Sequence, residues 1–165
     1  MLRAFQLAVR LRLRLRRNNI VRDVVALVYS GYEAETSQLL ISTYLARELG
    51  LWPPPLEAIE TIFSTVGGPI RVWIICKAVK VKVLVENVEA EEVDIDIVVS
   101  HLADEPLISN KLTSPVYHVR GLARRDELLI SDKLAGALKI VIEDLAEGLR
   151  RFRWKPKEKV RRTVQ

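Results

Sequence analysis

Cysteine, histidine and methionine are nearly missing from this chain. One cysteine, Cys76, in 165 residues excludes a disulfide framework and a zinc site built from thiolates. Two histidines, His101 and His118, are too few for a histidine-rich metal centre, so neither a metal nor a cofactor is expected. No apolar run comes near the roughly 18 residues that a membrane-spanning helix requires. The opening stretch MLRAFQLAVRLRLRLRR is interrupted by Arg at alternate positions, which denies it a signal-peptide core. No membrane association and a cytoplasmic location are the resulting expectations. Asn, Gln and Met are scarce beside Arg, Glu and Lys, a composition that resembles heat-adapted proteins.

What is present suits a single globular domain: 49% of residues are hydrophobic and 28% charged, enough to bury a sizeable core. The net charge of +5 is unevenly spread. Residues 1–22 carry +7, residues 23–149 carry −9, and residues 150–165 carry +7. Two readings stay open: neutralisation of the termini by the acidic middle, within a fold or a dimer, or recruitment of a nucleic-acid or other anionic partner.

Residues 8–16, AVRLRLRLR, alternate Val9, Leu11, Leu13 and Leu15 with Arg10, Arg12, Arg14 and Arg16. A period of two is a strand with one apolar and one charged face. Asn18-Asn19 tolerates the positive φ of a tight hairpin turn, and Ile20–Val28 is the return strand. Gln38–Ile41 leads to Ser42, a candidate helix cap, with Leu45 and Leu49 on one face of a short helix ended by Gly50. Residues 58–65 and 69–76 predict a second hairpin about Gly67-Gly68. A third pairs Val79–Val85 with Val93–Ile97, in a register that sets Lys82 opposite Asp94 and Lys80 opposite Asp96 on an exposed face.

Two internal repeats stand out. QLLISTYLARELGL (38–51) and ELLISDKLAGALKI (127–140) share an apolar strand, a Ser cap and a Leu-spaced helix, which predicts two similar halves. DEPLISNKL (104–112) matches DELLISDKL (126–134) at seven of nine positions, so residues 104–125, with His118, are expected to be a duplicated insert. Residues 1–148 are then one β domain, and 149–165 a basic C-terminal tail.

The stretches ALVYSGYEAETSQLLISTYLARELGL (26–51), TIFSTVGGPIRVWII (61–75) and LLISDKLAGALKIVIED (128–144) together resemble the retropepsin-like aspartic protease superfamily, in its small single-domain form. That family runs from an apolar strand through an Asp-Thr/Ser-Gly turn to a second strand, a short helix, a glycine-tipped flap hairpin, and an apolar signature with its own helix. The resemblance implies a mainly β, closed or nearly closed barrel with two short helices, working as a homodimer. Leu11, Leu13 and Leu15 suit such an interface. The catalytic-turn positions are Tyr29, Ser30 and Gly31, and the flap and peptide cleft map to Val66, Gly67, Gly68 and Ser131. Ser131 also reads as a helix cap.

Tyr29 stands where the family has its catalytic Asp. Hydrolysis by this fold needs two carboxylates sharing one proton, and a phenol of pKa about 10 is neutral near pH 7. The expectation is a catalytically inactive relative whose cleft binds an extended peptide. Asp23 lies six residues back along its strand, Glu33 and Glu35 stand nearer, and none suggests a symmetric pair. Two alternatives are carried: an aspartic endopeptidase using non-standard residues, and a nucleic-acid binder. The second would use Arg10, Arg12, Arg14 and Arg16 with Arg150, Arg151, Arg153, Trp154 and Lys155, a basic stripe plus an aromatic stacking platform.

Overall fold

The computed structural model describes residues 9–28, 32–65, 68–86, 88–101, 127–144, 148–154 and 160–162. The predicted insert at 104–125 lies outside these residues. The alternating N-terminal segment forms β1 (Val9–Arg17), which turns through Asn18 (φ 52°) and Asn19 into β2 (Ile20–Val28). Nine consecutive pairs, from Arg17↔Ile20 to Val9↔Val28, hold the hairpin in register. β3 (Gln38–Ile41) leads through the Ser42 cap into α1 (Thr43–Glu48). β4 (Ile59–Thr65) pairs with β5 (Gly68–Val85) from Thr65↔Gly68 onward. The short β6 (Val88–Glu89), β7 (Val93–Val99) and β8 (Glu127–Ile130) follow. Ser131 then caps α2 (Asp132–Ala137), which precedes β9 (Ile140–Asp144).

Six strands close into a barrel in the order β1-β2-β8-β3-β7-β5, with β5 returning to β1 through Leu13↔Val83 to Arg16↔Lys80. Closure follows from the alternation of the strands. Val9, Leu11, Leu13 and Leu15 from β1 point inward and meet Val79, Val81 and Val83, Ile95, Ile97 and Val99, Leu39 and Ile41, and Leu128 and Ile130. The arginine face of β1 is left outside the barrel wall. Leu11, Leu13 and Leu15 have no exposed surface, so the expected dimer interface on that face is corrected: these leucines are barrel core. A smaller cluster on the outward side of β3, β7 and β8 packs Leu40, Val98 and Leu129 with Tyr32 and with Val72, Phe63, Ile70 and Ile74 of the β4–β5 hairpin.

The longer repeat is an internal two-fold. Ser42 and Ser131 stand 89 residues apart with the same extended backbone (φ −73°, ψ 161° and φ −68°, ψ 162°), and each hydroxyl accepts the N–H three residues on. Gly50 (φ 69°), just past α1, has Lys139 (φ 57°) as its equivalent. β2 lies parallel to β8 with Val28 beside Ile130, and β3 lies parallel to β7 with Ile41 beside Val99. β3 and β8 meet antiparallel at Leu40↔Leu129, residues equivalent under the repeat, so this pair lies on the local two-fold.

Three further differences have physical causes. β5 is one 18-residue strand, where two separate strands were expected, because it swings from β4 to β7 without a turn. An irregularity between Ile75 and Val79, with Lys77 at φ 45°, shifts the β5–β7 register so that Lys80 faces Asp94 at 3.0 Å. The predicted pairs Lys82–Asp94 and Lys80–Asp96 are therefore corrected, and Asp96 is buried. The expected basic tail folds in part: β10 (Leu149–Phe152) pairs with β9 and with β11 (Arg161–Arg162). Phe152, fully buried, anchors this small sheet to the main core. Among the described residues, no helix is long and apolar enough to cross a membrane.

Candidate functional site

The ends of β2, β3 and β8 converge on the start of α2. Tyr29, Ser30 and Gly31 lie outside the described residues, as do Val66 and Gly67 at the hairpin tip. What flanks the first gap is well defined. Val28 pairs beside Ile130, and Tyr32 accepts the Asp132 N–H on its carbonyl at 2.9 Å. Ser131 is fully buried. Its hydroxyl accepts the Leu134 N–H at 3.2 Å, capping α2, and the Gln38 N–H at 2.9 Å, while its own N–H donates to the Gln38 carbonyl at 3.1 Å. With no surface to offer a ligand in the single chain, Ser131 acts as cap and strand tie.

A polar chain runs outward from there. Tyr32 donates to Gln38 Oε1 at 3.0 Å, Gln38 Nε2 to Thr36 Oγ1 at 3.1 Å, and Thr36 Oγ1 to Asp96 Oδ2 at 2.7 Å. The other Asp96 oxygen accepts the Lys77 N–H at 2.8 Å, which satisfies the irregular stretch of β5. Burial, and then the nearby Asp96 charge, push the Tyr32 phenol above its ordinary range. Tyr32 is thus a neutral donor, and both Asp96 oxygens are occupied by structural hydrogen bonds. Asp132 Oδ1 holds the N–H groups of Ala34 and Lys133 at 2.9 and 2.7 Å. Glu33 and Glu35 are exposed, and Asp23 is bound by Arg14. Asp96 and Asp132 at this end therefore serve as structural acceptors.

The β4–β5 hairpin extends beyond the barrel. Thr65 Oγ1 donates to the Gly68 carbonyl at 2.6 Å, and Gly68 takes φ 110°. β4 is the last strand of its sheet. Ile59 and Ile62 are 55% and 66% exposed, and Leu56 just before them is fully exposed. Phe63, which shares its face with Ile59 while Ile62 points the other way, meets Tyr32 edge-on at 6.3 Å between ring centres.

The candidate cationic residues are divided by the structure. Arg14 forms a double hydrogen bond with Asp23 at 2.7 and 2.8 Å, and Arg16 does the same with Glu92 at 2.9 and 2.5 Å. Those contacts hold both carboxyls below their ordinary range, chiefly through the hydrogen bonds. Arg151 is paired with Glu143. Arg10 is buried and Arg153 exposed, and Trp154 stacks one face on Phe152 at 4.6 Å. Lys155 lies outside the described residues. Among the described candidates, Arg12 and Arg150 come together around an open cavity of about 770 Å³ that Arg161 and Arg162 also line. The continuous basic stripe expected from the alternation is thus broken, because β2 and the β6–β7 loop supply acids to its middle.

Compared with known proteins, the chain matches no family model and no curated protein. Its functional reading rests on its own residues. Sequence reasoning did not single out Tyr32, Thr36 or Gln38, nor Arg161 and Arg162. The Gln38 contact follows the LLIS repeat and was within reach, since both cap serines sit at equivalent positions. Nothing local ties residues 161–162 to Arg12.

Proposed function

We propose that this chain is a non-catalytic relative of the retropepsins, a homodimeric barrel that takes up an extended peptide along the β4–β5 hairpin. The element order supports the family reading: strand β2, then β3 and a helix, then a projecting hairpin, then a strand, cap and helix again. The two-fold relation of the halves, with paired parallel contacts β2–β8 and β3–β7, fits the same reading. Tyr29 at the catalytic-turn position removes the carboxylate that peptide hydrolysis needs, which leaves binding as the retained property.

The observation that carries the binding is the β4 edge. A seven-residue strand exposing Ile59 and Ile62, last in its sheet among the described residues, offers main-chain groups along its outer side, the feature that strand addition uses. Ile59 and Ile62, three residues apart, point to opposite faces of β4, and apolar side chains on the two faces of an incoming peptide would cover them. The test is binding of labelled extended peptides with apolar residues on both faces, followed by fluorescence polarisation. Ile59→Lys with Ile62→Lys, which places charge on the edge without touching the core, should weaken binding about tenfold or more. Unaltered affinity in that variant, or no binding to the parent protein, refutes the site. Pepstatin-sensitive cleavage of any unstructured peptide by the parent chain refutes the non-catalytic part. A lone 18.8 kDa species in sedimentation at micromolar concentration refutes the dimer.

A further inference from the structure

Four arginines converge where the small C-terminal sheet meets the barrel wall. Arg12 projects from β1, Arg150 from β10, and Arg161 and Arg162 from β11, around a cavity completed by Leu84, Val85 and Glu86. Glu86 is the one acid among these lining residues, so the cavity carries a formal excess of three positive charges. Arg150 is 96% buried, at 4% exposure, and its Nη1 donates to the Arg162 carbonyl at 2.5 Å. The Nε atoms of Arg150 and Arg161 are buried with no hydrogen-bond partner among the described residues. Burial and the neighbouring Arg161 charge hold the Arg150 guanidinium down at about 10. A buried donor without an acceptor is costly, and like charges in one cavity add to that cost. A phosphate group would relieve both, since guanidinium forks match phosphate oxygens in shape and charge.

We propose that this arginine cavity is a binding site for a compact ligand carrying two or more phosphate groups. Its volume lies within the ~300–1,000 Å³ usual for small-molecule sites. A compact ligand fits better than a nucleic-acid strand because Arg14 and Arg16, which would extend the track along β1, are neutralised by Asp23 and Glu92. A strand needs successive phosphate contacts, whereas here four arginines meet in one recess.

The test is calorimetric titration of the full chain with inorganic triphosphate, in parallel with a single-stranded oligothymidine. Arg12→Gln and Arg162→Gln change outward-lying positions and spare the buried Arg150, and Arg14→Gln serves as a charge-matched control outside the cavity. Triphosphate should bind with a stoichiometry of one per chain. Each cavity variant should lose about tenfold in affinity, in line with one charge-assisted contact, while Arg14→Gln stays within twofold of the parent. No binding at millimolar triphosphate in low salt overturns the site. So does an equal loss in all three variants, which would mark diffuse attraction. Oligothymidine binding tenfold tighter than triphosphate, with a steep salt dependence, overturns the compact-ligand assignment in favour of a nucleic acid.

Discussion

Ser42 and Ser131 occupy equivalent places in the two halves, yet removing their hydroxyls should cost different amounts. Ser42 Oγ accepts the Leu45 N–H at 3.1 Å, an ordinary helix cap whose loss in Ser42→Ala costs about 1 kcal/mol. Ser131 Oγ accepts two N–H groups, those of Leu134 and Gln38. Ser131→Ala therefore loses the cap and also strands the Gln38 N–H in a buried place, which adds about 1–3 kcal/mol. The sum is about 2–4 kcal/mol for Ser131→Ala. For a chain of this size each kcal/mol moves the melting temperature by about 2–4 °C. Ser131→Ala should then melt roughly 5–15 °C lower and Ser42→Ala only a few degrees lower. Urea unfolding followed by far-UV circular dichroism measures both, provided the slopes agree with the parent. Equal losses in the two variants, or a larger loss in Ser42→Ala, would show that the Gln38–Ser131 contact does not tie β3 to α2.

The buried Tyr32 phenol holds its proton to higher pH than the same group in the unfolded chain, so its contribution is complete below about pH 10 and fades as pH rises above that. Tyr32→Phe should reduce the fall in urea midpoint between about pH 9 and 11, while Tyr44→Phe, at a position 66% exposed, should leave it unchanged; equal slopes in all three proteins would refute this. Lys139 adopts the left-handed backbone that its equivalent Gly50 adopts without strain, so Lys139→Gly should stabilise by up to about 1 kcal/mol. Gly50→Ala should destabilise, since its new Cβ would also lie 3.2 Å from Arg17 Nη1; urea midpoints read both signs.

Local chemistry made much of this molecule legible from its residues alone. Strict alternation in 8–16 permits only a strand with a buried face, and Asn18-Asn19 suits only a tight reversal, so the first hairpin was readable. The LLIS repeat, with a serine before each short helix, foretold the two equivalent strand–cap–helix units, because capping depends on neighbours within one turn. The mainly β character and the two short helices follow from the same local rules, whereas closure into a barrel was expected from the resemblance to retropepsin-like proteases.

Other features depended on which segments meet across the barrel. An apolar face on β1 is the same in sequence whether it faces a partner or a core; closure of β5 onto β1 puts Leu11, Leu13 and Leu15 inside. The β5–β7 register turns on an irregularity at Lys77 that Asp96, 19 residues away, stabilises. A period of two cannot reveal such a shift, because moving by two residues keeps every side chain on its face. The arginines show the same division. Alternation set Arg12, Arg14 and Arg16 on one face, but only tertiary contacts decided that Asp23 and Glu92 neutralise two of them. The fold alone also brought Arg12 beside Arg150, Arg161 and Arg162, more than 130 residues further along the chain, because charge carries no address until the backbone supplies a neighbour.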